Sequence, residues 1–389
     1  MNKTADAVVV GGGIMGTSTA HFLARKGAGK VVLLEQRTLA AVSTGHSAAV
    51  VRTFYSNPLT IELARRSLEM FANDQDALGG DCSFQRIGYM CILGEQSASA
   101  GRQVLQLERA QGIDAREVSP DEIKQILPQI NLDGVVGGIY EPQSGYVDPV
   151  KTTRSLADGA KASGLEVHEG VGAMGIRLEG SRVAGVQTKQ GTIETRVVVN
   201  AAGPWGREMG LSAGLNYSLR WSRESDMVLQ RPAEMGSFPL ISDPNLRVYV
   251  RPHGEHEVLA GLGYPKEVEP MDIDNYDPGL DAATRQRIAE GTCTRVPALR
   301  QAAYVRGWAS IYAITDDWHP IVGPEPGLDG YYACFGGSGH GFKLGPPLGK
   351  ALSDIILGNT PETDIHAFRP SRFVEGDIFS SAWGGGNRA

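Results

Sequence analysis

An excess of basic charge is the first thing this sequence lacks. Its 37 Lys and Arg stand against 44 Asp and Glu, a formal net charge of −7. That balance excludes a nucleic-acid partner, which needs a basic stripe for phosphate, and no basic run points to an anionic membrane surface. Long apolar runs are also missing, and none reaches the ~20 residues of a membrane span. Cysteine is scarce. Cys82, Cys91, Cys293 and Cys334 show no C-x-x-C spacing. No disulfide framework or metal site is expected, and four reduced thiols read as a cytoplasmic protein. The apolar N-terminus is broken by glycines and lacks a small-residue cleavage site, so no secretory signal is expected. No internal repeat is visible.

Glycine, by contrast, is abundant, with 50 in 389 residues, above the usual ~7%. The glycines are spread along the chain and mark turns and close backbone approaches. A hydrophobic content of 41% over this length supplies a large core and more than one domain.

The stretch Asp6–Glu35 reads as a complete dinucleotide-binding βαβ unit. Ala7–Val10 is an apolar β-branched run, suited to a buried parallel strand. Gly11, Gly13 and Gly16 then supply G-x-G-x-x-G. Gly11 allows the tight turn, Gly13 admits a pyrophosphate, and Gly16 lets the helix pack on the sheet. Ile14, Met15 and the residues to Lys26 form the helix, with its positive end toward the phosphates. Val31–Leu34 is the second strand. Glu35, 35 − 16 = 19 residues past the third glycine, is placed to take a ribose hydroxyl pair. The fingerprint itself leaves FAD and NAD open.

Further along, Asn57 and Pro58 open a helix to about Leu78, and Arg86 to Leu93 reads as a strand. Arg102–Gln111 reads as a helix. Ser119-Pro120-Asp121-Glu122 is a capping box for another, and Val135–Tyr140 is a strand. Asp148 and Pro149 start a helix to about Ala162. A three-strand meander is expected at Leu165–Glu169, Met174–Leu178 and Val183–Thr188, then a strand at Thr195–Asn200. Asp226–Gln230, Arg247–Arg251 and Glu257–Leu262 alternate as sheet strands do. Asp281 caps a helix to about Thr292, and Tyr331–Phe335 is a strand. A last helix is expected after Gly345, starting at Pro346-Pro347 and closing at Gly358. Ser381–Ala389, SAWGGGNRA, reads as a mobile tail. The fold class is α/β (α+β overall): a Rossmann-type nucleotide-binding domain interleaved with a second domain.

Three motifs carry a resemblance over Asp6 to about Gly358: GGGIMG at the N-terminus, VVVNAAGPW at Val197–Trp205, and FGGSGHGFKLGPPLG at Phe335–Gly349. Together they resemble the flavin amine oxidoreductases of the D-amino-acid oxidase and sarcosine oxidase family, which includes dimethylglycine dehydrogenase. The resemblance implies FAD as cofactor and a mostly antiparallel substrate domain covering it. It divides the chain into 1–81, 148–214 and 314–370 for FAD, 82–147 and 215–313 for substrate, and 371–389 as tail. It implies cofactor contacts from Gly11, Gly13, Ile14, Met15, Gly16, Glu35 and Gln36. Ser43, Thr44, His46, Ser47, Val171, Ala202, Gly203 and Trp205 join them, with Gly339, Gly341, Phe342 and Lys343 from the last loop.

Such enzymes remove a hydride equivalent from a carbon next to an amine, and the imine product hydrolyses. A substrate carboxylate then wants cations, and Arg52 in AVVRTF and Lys343 in GHGFKL match the family's clamp. His340 is a third candidate in the loop, with a structural bond to backbone as the alternative. Tyr249 and Arg251, with His253, face one side of a strand and are candidates to line the substrate, an ordinary sheet role being the alternative. Asp317 and His319 read as structural. Ser43-Thr44-Gly45-His46 resembles the S-T-W-H in which histidine is covalently joined to flavin. Gly45 replaces the tryptophan, so non-covalent FAD is favoured. Ser310 stands where monomeric sarcosine oxidases carry their flavin-linked cysteine. The oxygen-activating lysine of those enzymes has no counterpart in EVLAGLGYP.

The expected function is oxidation of a secondary or N-methylated amino acid, with oxygen or another carrier as electron acceptor and oxidase slightly favoured. A D-amino-acid or 2-hydroxy-acid dehydrogenase on the same fold is one alternative. An FAD-binding subunit of a larger complex is another, and an oligomer is compatible with either.

Overall fold

A computed structural model describes residues 4–264 and 266–380; the SAWGGGNRA stretch lies outside the described residues. The strand Ala7–Val10 is fully buried between Val31–Glu35 and Val198–Asn200, all parallel. Its β-branched residues have helices on one face and a small sheet on the other, which is why it reads as an unbroken apolar run. The whole sheet has six strands, ordered Ile321–Pro324, Tyr331–Phe335, Val198–Asn200, Ala7–Val10, Val31–Glu35 and Leu165–Glu169. Only the Ile321–Pro324 edge is antiparallel. The helix Ile14–Arg25 packs on it beside Pro149–Lys161 and Gly341–Ile356.

The expected meander is corrected here. Leu165–Glu169 pairs in parallel with Val31–Glu35, so it belongs to the main sheet. The meander consists of Ala173–Glu179, Arg182–Thr188 and a further strand, Gly191–Glu194. It covers the second face of the main sheet through Ile176, Val183, Val186 and Ile193. The Asn57-capped helix also ends sooner, at Ala72, with a short turn Asp74–Leu78 after it.

The second sheet has eight strands. Tyr304–Ile314, Arg220–Gln230, Glu257–Leu262, Val248–His253 and Leu240–Asp243 join Tyr89–Leu93, Gly137–Glu141 and Arg116–Val118. All pairings are antiparallel except Leu240–Asp243 with Tyr89–Leu93. Met227, Leu229, Val250, Val258 and Ala260 point to one face and build its own core. The opposite face carries Asp226, Tyr249 and Arg251 and turns toward the dinucleotide fingerprint. It is tied there by Arg251 Nε to the Ala48 carbonyl (2.9 Å), Trp308 Nε1 to the His46 carbonyl (3.1 Å) and Ser43 Oγ to the Ile311 carbonyl (2.6 Å).

The last helix begins at Gly341, five residues before the expected start. Pro346 and Pro347 lie inside it. A proline at 347 has no N–H for the Lys343 carbonyl one turn back, and the Ser67 hydroxyl donates to that carbonyl instead.

The 371–389 segment is not all tail. Arg372 is fully buried and donates to both carboxylate oxygens of Asp317, at 2.8 and 2.9 Å. Burial opposes the charge on Asp317, but the Arg372 bonds outweigh it and lower its pKa. The same arginine donates to the His319 carbonyl (2.9 Å), bonding that is compatible with a structural role for Asp317 and His319.

Candidate active site

The glycine turn is built by contacts that exclude side chains. Gly11 has φ of 113°, and a Cβ there would sit 2.2 Å from the Ala201 carbonyl oxygen. A Cβ on Gly16 would meet the Gly11 carbonyl oxygen at 2.0 Å. Gly16 therefore packs helix on strand, while Gly11 holds the turn. Glu35 is aimed at this turn, its two oxygens accepting from the Gly12 amide (2.8 Å) and the Arg37 amide (2.7 Å).

A cavity of about 310 Å³ opens beside it. Gly11, Gly13, Ile14, Met15, Glu35 and Gln36 form one wall, and Ser43, Thr44 and Ser47 extend it. Ala202, Gly203 and Trp205 line it from the next parallel strand, and Gly339, Gly341 and Phe342 from the last loop. The cavity fits a dinucleotide. A Cβ at Gly13 would point toward open space, with only Thr44 Oγ1 near, at 3.0 Å; one at Gly203 would meet nothing within 4 Å. Two helix N-termini, at Ile14 and Gly341, open onto it and favour phosphate or another anion.

Four expected cofactor contacts are placed elsewhere, Gly16 being the one that packs helix on strand. Val171 is bonded through its amide to the Glu35 carbonyl (2.9 Å), and its side chain packs in the core. The His46 ring turns back on its own turn, Nδ1 lying 2.8 Å from the Val42 carbonyl, so the residue is not part of the cavity wall. Lys343 is also outside the cavity lining; its side chain belongs to a second cluster.

That cluster centres on Tyr55. Arg52 stacks over the Tyr55 ring at 4.4 Å and over Tyr89 at 5.3 Å, and Lys343 Nζ lies 5.8 Å from the Tyr55 ring centre. Arg52 is half-buried, and its guanidinium also donates to the Phe54 carbonyl. Lys343 is buried on the first turn of the last helix. Burial lowers its pKa and the Arg52 charge lowers it further, against the raising effect of Tyr55. His340 is 1% exposed, edge-on to Tyr55 at 5.8 Å and to His319 at 5.4 Å. Among the described residues neither of its ring nitrogens has a hydrogen-bond partner, so no structural bond to backbone is seen holding it. Burial, then His319, Lys343 and Arg52, push its pKa far below the usual histidine range, so the ring is neutral.

Of the sheet candidates, Tyr249 donates its hydroxyl to Asp226. Arg251 is committed to structure. It bonds the Ala48 and Pro252 carbonyls and stacks 4.0 Å over Tyr146. Sequence reasoning missed this layer. Asp226 and Tyr249 meet across Gly261, where a Cβ would lie 2.2 Å from the Asp226 carboxylate. Burial raises the Asp226 pKa to about 6, opposed by the Tyr249 bond. Lys266, just past the strand, pairs with Glu224 and lies 5.1 Å from the Tyr312 ring. Tyr312 lines the cavity, and both Tyr55 and Asp226 act on it. Across-strand alignment brings these groups together, and periodicity along one strand does not show it.

A dinucleotide site on a doubly wound sheet, roofed by an antiparallel sheet that carries buried ionisable groups, defines a dinucleotide-dependent redox enzyme. The chain belongs to the FAD dependent oxidoreductase family, whose model matches residues 6–355, and its cofactor is FAD. It is 30% identical over 385 residues to human mitochondrial sarcosine dehydrogenase, covering 95% of this chain and 42% of the relative. It is 27% identical over 394 residues to the mitochondrial pyruvate dehydrogenase phosphatase regulatory subunit of Mus musculus, covering 95% and 45%. The chain thus spans less than half the length of these two relatives. L-proline dehydrogenase from P. horikoshii shares the fold at a TM-score of 0.91 and 25% identity, covering 97% of this chain and all of that one. Among the described residues no helix is long and apolar enough to cross a membrane, and no group of side chains could hold a metal ion.

Proposed function

We propose that the protein oxidises the C–N bond of a secondary or N-methylated amino acid. The observation that carries this reading is the convergence of Arg52 and Lys343 on Tyr55, beside the helix end that opens on the FAD cavity. Two buried or half-buried cations meet at one aromatic ring with the single charge of Glu141 acting on them, and a substrate carboxylate balances the positive charge left over. In this reading 1–81, 148–214 and 314–370 hold FAD and the remaining segments to 313 hold the substrate.

When bound, FAD takes up the hydride equivalent lost from the carbon next to the amine. The chain's own residues do the rest. Arg52 and Lys343 fix the carboxylate. Tyr55 and Tyr89 keep water from both cations and orient them by ring contact. His340, neutral and unpartnered, offers one N–H and one lone pair inside the same space. Tyr249 holds its proton at the hydroxyl, shared with the Asp226 carboxylate. The helix beginning at Gly341 presents its positive end to negative charge that builds up during reduction. The resulting imine hydrolyses in water.

The relatives named for sarcosine and L-proline both act on secondary amines, which supports this substrate class over a D-amino acid or a 2-hydroxy acid. A role as an FAD-binding subunit draws on the relative named as a regulatory subunit. Oxygen is the proposed acceptor over another carrier, and a cytoplasmic or other reducing compartment fits the four free cysteines. Anaerobic titration of the holoenzyme with secondary, N-methyl, D-amino and 2-hydroxy acids tests the reading. Bleaching of the flavin by secondary amino acids alone is expected; bleaching by none of the panel would leave the subunit role.

A further inference from the structure

Next to Arg52, bonded to Thr53 and outside the cavity lining, lie two carboxyl groups that the reaction above does not use. Glu108 comes from the helix Ala98–Ala110 and Glu141 ends the strand Gly137–Glu141. They are 0% and 1% exposed. Thr53, the residue after Arg52, is gripped by both. Its amide donates to Glu141 Oε2 and its hydroxyl to Glu108 Oε1, each at 2.9 Å. Ser144 also donates to Glu141 Oε2. Among the described residues the other oxygen of each carboxyl, Glu108 Oε2 and Glu141 Oε1, has no partner outside the pair. Two ionised carboxylates cannot share such a space, so one proton must lie between them. Burial and the neighbouring carboxyl push Glu108 up, so the proton belongs to the pair.

Glu141 faces Arg52. It is the cross-strand neighbour of Tyr89, and such neighbours share a face; Tyr89 is the ring that Arg52 stacks on. The Glu141 charge acts on both Arg52 and Lys343. The sum over the cluster is two cations and one anion, so its net charge is +1.

We propose that Glu108 and Glu141 act as a proton-sharing pair that holds one negative charge next to Arg52, positioning it through Thr53 and restricting the site to substrates with a single carboxylate. This rests on the clamp reading of Arg52 and Lys343. A monocarboxylate neutralises the cluster as it stands. A dicarboxylate would leave one uncompensated charge in a buried site.

The test uses holoenzyme, with acetate and malonate as probes and perturbation of the flavin absorbance as the readout. The two single variants, Glu108→Gln and Glu141→Gln, each keep one carboxyl, which can carry the charge alone, so the wild-type preference for acetate should persist. The double variant E108Q/E141Q loses the charge, and the ratio of the two affinities should move by about tenfold or more toward malonate. Loss of packing alone would weaken both probes together and leave the ratio fixed. A flavin-loaded double variant with the wild-type ratio would overturn the proposal. If that variant does not retain flavin, E108M/E141Q keeps an acceptor for the Thr53 amide and removes the same charge, and its ratio decides in the same way. Failure of acetate to bind the wild type at all would instead count against the carboxylate clamp itself.

Discussion

Lys343→Met removes one positive charge while nearly preserving shape, and its consequence can be worked from the surroundings of the side chain. Lys343 is 6% exposed and shares the Tyr55 ring with Arg52. Removing one partner of a buried, hydrogen-bonded charge pair costs about 2–5 kcal/mol. Arg52 remains in the variant, so the lower part of that range applies: about 2–3 kcal/mol, or about 30- to 150-fold in substrate Kd. Flavin content should be unchanged, because the lysine side chain is not part of the cavity wall. Stability should not fall, since an apolar chain replaces a charge that burial disfavours. Affinity for substrate should also carry a pH signature. Burial followed by Arg52 lowers the Lys343 pKa from 10.5. A carboxylate binds the protonated form, so wild-type affinity should fall as pH rises through that lowered pKa, before an ordinary lysine would titrate. The methionine variant should lack this limb. The assay is anaerobic spectral titration across pH. A Kd within about threefold of wild type, with the alkaline limb intact, would refute the clamp and the reasoning from burial together.

Three other outcomes are expected. Gly13→Val should abolish flavin loading, because its side chain would enter the open space at the turn; a yellow, fully loaded variant would show that the pyrophosphate lies elsewhere. Acid precipitation of the wild type should leave the flavin colour in the supernatant, because the His46 ring is bound back to Val42; colour in the pellet would establish a covalent link. Arg372→Ala should cost about 3–5 kcal/mol, read as a drop in thermal midpoint, by stranding the buried Asp317 carboxylate. The Asp317 pKa is depressed in the fold, so this contribution is fully present above the unfolded value of 3.8 and is lost as pH falls through the lower folded value. An unchanged midpoint at neutral pH would count against it.

The part of the site written locally was legible from sequence. The strand, glycine turn, helix and acid of Asp6–Glu35 lie within one stretch, and the structure places them as that stretch implies. Motif resemblance points to Arg52 and Lys343 but not to the aromatic ring they share. What stayed hidden depends on distant segments meeting. Leu165–Glu169 has the same alternation whether it pairs with its neighbour or with Val31–Glu35, and only the finished sheet chooses. The prolines at 346 and 347 read as a helix start because proline favours first turns. The Ser67 hydroxyl, 276 residues away in sequence, takes the carbonyl that Pro347 leaves open. The acids Asp226, Glu108 and Glu141 look like surface carboxylates in isolation, and partners from other elements make them interior ones.

The order of strands in the main sheet has a consequence for biosynthesis. The fingerprint strand is made first, yet its neighbour Val198–Asn200 and the next strand, Tyr331–Phe335, are made far later. The wall formed by Gly339, Gly341 and Phe342 comes later still, and Arg372 must arrive before the loop around Asp317 is locked. A nascent chain that has exposed only its first half therefore carries a phosphate-binding turn with no enclosed place for the ring end of the cofactor. Enclosure of FAD belongs after the residues through Phe342 have emerged. The Ala7–Val10 strand has one bare edge until Val198–Asn200 emerges, and that strand in turn has one until Tyr331–Phe335 does, each open to pairing with other chains.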